Sequence, residues 1–272
     1  MRPSWQMMMV LAHPHSKDTM IVKEKLSESG HWYKKDGTPA YTVIGKTGER
    51  PATLRDARKL GLLPSVTTIN GMLSKAGLDT WKQQQVLLAA LTLPRLPDEP
   101  EADWLARVMQ DSKATGREAA ERGTAIHGII QTWFEGVYMP EKPPYLDAVS
   151  KALLDAFGNQ LWLPEKSFGH PLGFGGKCDL MAKPVNGEGG GFIVDFKTKE
   201  TDLTKVDVYF EHEMQLAAYR EGLGVPTARC AIVFVNGTTN QVKLIEVEQD
   251  RLQKGWECFE HLLRVYQIKN GI

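Results

Sequence analysis

The chain has 272 residues, 42% of them hydrophobic and 24% charged, an ordinary globular composition that excludes a disordered, collagen-like or coiled-coil chain. A chain of this length can build one large core without staples, and no apolar stretch reaches the roughly 18 residues that a membrane-spanning helix requires. The formal net charge is +0, yet residues 1–82 hold 13 Lys/Arg against 7 Asp/Glu and the remainder holds 20 against 26. Either this is ordinary solvated surface, or a basic front end meets a polyanion while an acidic body holds cations.

Taken in chain order, the apolar run at 7–12 is too short before His13-Pro14-His15 to read as a signal peptide. A polar turn at 34–39 precedes residues 41–44, which read as part of a hairpin. Residues 65–73 and 78–91 have helical spacing, with Ser65 or Thr67 as the cap. The LPRLPDEP stretch at 93–100 reads as a linker. Helical pattern then runs from 101 to about 135, with breaks expected near Gly116 and Gly123. After the PEKPP loop at 140–144, residues 145–157 form a short amphipathic helix closed by Gly158.

The texture changes at this point. Segments 161–168, 173–182 and 192–198 have the length and alternation of strands, and PVNGEGGG at 184–191 supplies the Asn-Gly signal of a hairpin tip. Residues 211–223 return to helical spacing. The continuous apolar run 228–235 suits a buried central strand, 241–247 alternates like a strand nearer an edge, and 249–268 is a closing helix. Trp104, Trp133, Phe134 and Trp162 are expected to fill the core. The order predicts an α/β fold in which helices flank a mixed central β-sheet. Residues 1–100 read as an N-terminal extension with a hairpin and helices, and residues 101–272 as the core. Cys178, Cys230 and Cys258 are too scattered for a disulfide framework or a CxxC metal knuckle, so a soluble protein of the reducing cytoplasm is expected.

The segment GFGGKCDLMAKPVNGEGGGFIVDFKTKE (173–200) carries the chemistry. Strand parity puts Asp195, Lys197 and Ile193 on one face and Phe196 on the other. Neighbouring strands lie about 4.8 Å apart, so Asp179 comes within metal-bridging reach of Asp195. Two carboxylates can hold a hard cation that polarises a phosphoryl oxygen and lowers the pKa of a bound water, while Lys197 orients or deprotonates that water. The bland alternative is a pair of exposed strand residues and a turn acid, but Ile193 and Val194 make the strand apolar, where an unpaired acid is costly.

Gln215 and Tyr219, spaced i and i+4, share a helical face and either serve this site or sit as a solvated Gln and a packed Tyr. His127, on a helix among glycines, either completes the metal shell, favouring Mn²⁺, or is structural. Glu165, with Lys166 beside it, is a further carboxylate or a solvated strand-edge acid. Near the N-terminus, Lys34, Lys35, Lys46, Arg50, Arg55, Arg58 and Lys59 are interleaved with His31, Trp32, Tyr33 and Tyr41. That pattern fits a phosphate track with base-stacking rings as well as it fits a solvated hairpin with aromatic packing.

In this order, GTAIH (123–127), Glu165, GFGGKCD (173–179), DFK (195–197) and QLAAY (215–219) resemble the RecB-type branch of the PD-(D/E)XK nuclease superfamily. PSVTTIN and GLDTW within 64–81 resemble the N-terminal signature of phage-encoded and mitochondrial genome-maintenance members. The resemblance implies a restriction-endonuclease-like core and metal-dependent hydrolysis of DNA phosphodiesters, with an exonuclease on single-stranded or end-containing DNA as the expected form. It implies Mg²⁺ or Mn²⁺, as a pair of ions, held by His127, Asp179, Asp195 and the Phe196 carbonyl. Lys197 becomes the catalytic lysine, Glu165 an accessory acid, and Gln215 with Tyr219 the supporting helix motif. DNA is the implied partner, with a recombination or replication protein beside it, in the host cytoplasm if the chain is phage-encoded. Cys178 stands where the family often has proline, and three scattered cysteines do not supply the four-cysteine iron–sulfur cluster of some members. An endonuclease with the same site and a catalytically silent DNA-binding subunit are the competing expectations.

Overall fold

The computed structural model describes residues 31–183 and 190–272. The apolar run at 7–12 and the Asn-Gly tip at 186–187 lie outside them. The chain opens with β1 (Trp32–Tyr33), β2 (Thr42–Gly45) and β3 (Gly48–Pro51), then α1 (Leu54–Leu60), β4 (Leu63–Pro64) and α2 (Val66–Asn70). The polar turn at 34–39 follows β1, whereas β2 hairpins onto β3 on its other side, and β1 pairs with β4. Helix α1 has too few residues for periodicity to reveal it. Its ends do the work: a capping box joins Thr53 and Asp56, and Gly61 closes it at φ 64°. Ser65, not Thr67, caps α2, its hydroxyl accepting from the Thr68 N–H at 3.0 Å. The helix stops at Asn70, short of the expected residue 73.

Three long helices follow: α3 (Ala76–Thr92), α4 (Glu101–Ser112) and α5 (Ala114–Phe134). The expected breaks at Gly116 and Gly123 are absent. The joint is Lys113, and both glycines continue inside α5, where an interior glycine costs only about 1 kcal/mol relative to alanine. Trp104 is half-buried and does not join the core. Its indole N–H donates to the Leu93 carbonyl at 2.7 Å and pins the proline-rich linker between α3 and α4. Helix α6 (Tyr145–Phe157) ends at Gly158 as expected.

The strands β5 (Trp162–His170), β6 (Phe174–Ala182), β7 (Phe192–Thr198), β8 (Arg229–Val235) and β9 (Val242–Val247) form one five-stranded sheet in that order. All neighbours are antiparallel except β7 and β8. That parallel pair needs a crossover, supplied by α7 (Phe210–Gly222) after a 3-10 turn at Leu203–Lys205. The chain closes with α8 (Gln249–Asn270).

Strand alternation sorts the core into two layers. Ile193, Cys230, Ile232 and Phe234 pack with α2, α7 and α8 through Ile69, Met214, Leu252 and Phe259. Leu180, Val194, Phe196 and Val233 face α5 and α6 through Ile130, Leu146, Val149 and Leu153, with Trp133, Phe134 and Trp162 at the margin. The sheet is thus covered on both faces, and its open ground is at strand ends. No described helix is long and apolar enough to cross a membrane.

Candidate active site

The ladder between β6 and β7 pairs Ala182 with Phe192, Met181 with Ile193 and Leu180 with Val194, and stops there. Beyond it the strands part, with Asp179 on one side of the split and Asp195 and Phe196 on the other. In a strand, one residue's N–H and C=O point to the same neighbour, so the backbone of Phe196 is left facing the gap and needs new partners. Asp179 Oδ2 accepts the Phe196 N–H at 2.8 Å. The His127 ring, reaching over from α5, stands edge-on to the Phe196 ring at 6.3 Å between centroids, and its Nδ1 lies 3.5 Å from Asp179 Oδ2. His127, Asp179 and Phe196 share a small recess with Glu165.

Asp195 and Lys197 point to the α7 side. Gln215 is the hub there: its Nε2 donates to Asp195 Oδ1 at 2.9 Å and to the Tyr219 hydroxyl at 2.8 Å, while its Oε1 accepts from Lys197 Nζ at 3.2 Å. Lys197 Nζ also lies 2.6 Å from Asp195 Oδ2. This short contact is an ion pair that engages the buried Oδ2. Side-chain exposure grades from 4% for Asp195 through 19% for Asp179 and 27% for Lys197 to 34% for His127, so Asp195 forms the floor and His127 the rim.

The electrostatics follow from this crowding. Burial and the neighbouring Asp195 hold the Asp179 carboxyl above the usual carboxylate range, against the lowering pull of the Phe196 N–H, Lys197 and Lys177. Burial alone would lower Lys197, but Asp195, with Asp179 and Glu211 behind it, more than offsets it, and the lysine is raised and stays an ammonium. Burial lowers His127, which is therefore a neutral imidazole at neutral pH. Burial raises Tyr219 well above its ordinary value, so its hydroxyl keeps its proton.

Glu165 pairs with Lys177, not with the adjacent Lys166. Several residues that sequence reasoning passed over belong to the same environment. His212, on the first turn of α7, is pushed down to about 4 by burial and by Lys197. Glu211 adds negative charge beside Lys197 and holds Lys75 at 3.3 Å. The signal was their spacing, one helical turn before Gln215.

The N-terminal residues are placed elsewhere. Trp32 and Tyr33 are buried, at 1% and 3% exposure, and cannot stack bases. His31 and Tyr41 face each other at 4.8 Å. Lys34 and Lys35 pass their backbone over Gly169. Arg50 pairs with Asp56. Arg55, Arg58 and Lys59 lie on α1, where Arg58 donates to the Asn270 carbonyl at 2.7 Å.

Among the described residues, no three His, Cys, Asp or Glu side chains stand grouped as a metal cage. The donor set at the split is mixed: one imidazole, two carboxylates and a backbone carbonyl. Oxygen and imidazole donors of this kind suit a hard divalent cation that retains several waters, with Asp195 Oδ2 held by Lys197 in this structure.

No protein-family model and no curated protein matches the chain. Solved structures overlap it loosely. A putative exonuclease from Eubacterium rectale aligns at 18% identity and TM-score 0.35, over 55% of this chain and 68% of that one. An alkaline exonuclease from Laribacter hongkongensis aligns at 12% identity and TM-score 0.33, over 71% and 98%. Its complex with dAMP aligns at 13% identity and TM-score 0.37, over 71% and 94%.

Proposed function

We infer that the chain is a divalent-metal-dependent deoxyribonuclease. The observation that carries this is the meeting of Asp179, Asp195 and Lys197 at the split of β6 and β7, with two carboxylates crowded enough to displace a protonation equilibrium. Lys197 offsets the charge of Asp195, and a divalent cation is the natural complement of the carboxylate that remains at Asp179. The ordered resemblance to RecB-type nucleases supports the same reading.

Asp179, Asp195, His127 and the Phe196 carbonyl would hold Mg²⁺ or Mn²⁺. When bound, the ion would polarise the phosphoryl oxygen and lower the pKa of a water. Lys197, held as an ammonium by Asp195, faces the charge that builds on the phosphate rather than acting as a base. Gln215 fixes Asp195 and Lys197 relative to each other, and Tyr219 fixes Gln215. Glu165 sits in the same recess as an accessory acid. On this reading the enzyme is an exonuclease on single-stranded or end-containing DNA, in recombination, repair or phage DNA processing.

The test incubates end-labelled linear DNA and a closed circle with Mg²⁺, Mn²⁺ or a chelator. Metal-dependent loss of the linear form alone is expected, and loss of the circle would make the enzyme an endonuclease. Asp195→Asn and Lys197→Ala should each lower the rate by about 10²–10³-fold, on the order of the loss of a principal charge-stabilising group, with melting temperatures that show an intact fold. Mn²⁺ should raise the melting temperature of the wild type and not of Asp195→Asn. Tight DNA binding without any metal-stimulated cleavage would leave only a silent binding subunit.

A further inference from the structure

A groove runs between α3, α4 and α5, away from the catalytic residues. Trp81, Val86 and Met109 give it an apolar wall, and Lys82, Lys113 and Arg117 line it with positive charge. Among the described residues that line it there is no carboxylate. We propose that this groove seats a single strand of nucleic acid on its way to the Asp179–Asp195 site, a reading that rests on the nuclease function above.

Helix geometry connects the two places. Gly116 lines the groove and His127 lines the catalytic recess. Their separation on α5 falls within about 20° of three whole turns and spans ~16 Å, so both lie on one face of one helix. Gly123 lies between them on that face, where a Cβ would stand 4.0 Å from Thr198 Oγ1. That hydroxyl is buried without a hydrogen-bond partner, next to Lys197 in sequence. Helix α5 is thus seated directly on β7 beside Lys197, which fixes the groove relative to the site.

Glycine at 116 has a use here. A Cβ at that position would meet the Trp81 ring at 3.6 Å, so the indole lies directly against α5. The start of α3 is tied to α7 by Lys75 and Glu211 at 3.3 Å, and the helix therefore stretches from α7 to α5 and walls the groove on one side. A half-buried indole offers a surface to a base, and Lys82 and Arg117, both exposed, offer charge to phosphates. A duplex keeps its bases stacked on one another, which leaves no base face for Trp81; a single strand does not. An indole beside the exposed cations Lys82 and Arg117, on the helix face that also carries His127, favours a nucleic-acid strand over an acidic peptide.

Fluorescence anisotropy of the full chain with labelled oligothymidine, in chelator so that cleavage is silent, tests the proposal. Trp81→Ala should weaken binding on the order of tenfold, the scale of one lost base–aromatic stack, and Trp81→Phe should restore most of it. Lys82→Gln and Arg117→Gln should each flatten the dependence of log affinity on log salt by about 0.7, as for one phosphate contact on a single strand. Melting temperatures confirm that the variants fold. Wild-type affinity and salt slope in all of these variants would overturn the proposal, as would a wild type that ignores the oligonucleotide and binds an acidic peptide. Asp195→Asn separates the two readings, since it should lose cleavage and keep wild-type binding. A chain that binds through Trp81 and never cleaves would sink the nuclease reading and leave the strand seat standing.

Discussion

Glu165 holds φ at 55° in the middle of β5, where the pairing runs from Pro164↔Leu180 to Lys166↔Cys178 and skips the position between. A left-handed backbone costs a residue with a Cβ roughly 1–2 kcal/mol, and such conformations persist where the surroundings over-determine them, often at functional sites. Here the bend turns a carboxylate into the recess of His127 and Asp179, and Lys177 pairs with it. Glu165→Gly would relieve the backbone by about 1 kcal/mol and lose a partly exposed ion pair worth about 0–1 kcal/mol. Stability should therefore stay level or rise slightly. Metal-dependent cleavage should fall by about 10–100-fold, the usual effect of removing a group that orients metal ligands. Melting curves and kcat/KM on the same preparation check both directions, and full activity in Glu165→Gly would return the residue to the surface.

At the scale of elements, the join of α7 to the sheet decides whether Gln215 and Tyr219 reach the site. Gly222, the last residue of α7, lies against the Phe168 ring, and a Cβ there would stand 1.9 Å from the Phe168 ring carbon Cε2. The same ring packs on Gly176 and on Tyr219. Gly222→Ala gains helix propensity of at most about 1 kcal/mol, but overpacking a fixed ring costs typically about 1–3 kcal/mol, and the overlap here puts the cost at the upper end. The variant should lose about 1–2 kcal/mol in urea unfolding and lower cleavage by moving Tyr219 and hence Gln215. Unchanged stability would mean that Phe168 swings aside freely. Much of this layer was readable in advance. Strand parity put Asp195 and Lys197 on one face, and i, i+4 spacing put Gln215 with Tyr219, because both rules are local. The αL bend at Glu165, its partner Lys177 and the charge of Glu211 and His212 beside Lys197 depend on how separate elements meet, which periodicity does not encode. The joint at Lys113 was missed because glycine weakens a helix without ending one, and α1 because its signal lies in its caps.

At the scale of the whole molecule, pH acts on several buried groups in opposite senses. Burial lowers His127, His170 and His212 below the ordinary histidine value. Between the unfolded value near 6.5 and the lowered folded one, the unfolded chain binds protons that the folded chain does not. Stability is therefore lost as pH falls through this window, at about 1.4 kcal/mol per pH unit for each fully displaced group. Asp179 is displaced the other way, and its raised carboxyl favours the folded state as pH falls toward the ordinary carboxylate range. Among the described residues three histidines are lowered and one carboxylate is raised, so the chain should lose net stability between pH 7 and pH 5. His212, pushed down to about 4, is the group to isolate, since it is none of the residues proposed to hold a metal. His212→Gln should flatten the plot of unfolding free energy against pH below about 6.5 and leave it unchanged above. Urea titrations at pH 5, 6 and 7.5 measure this. A slope equal to the wild type's would mean that His212 already carries its proton in the folded chain, and that the charge of Lys197 does not reach the first turn of α7.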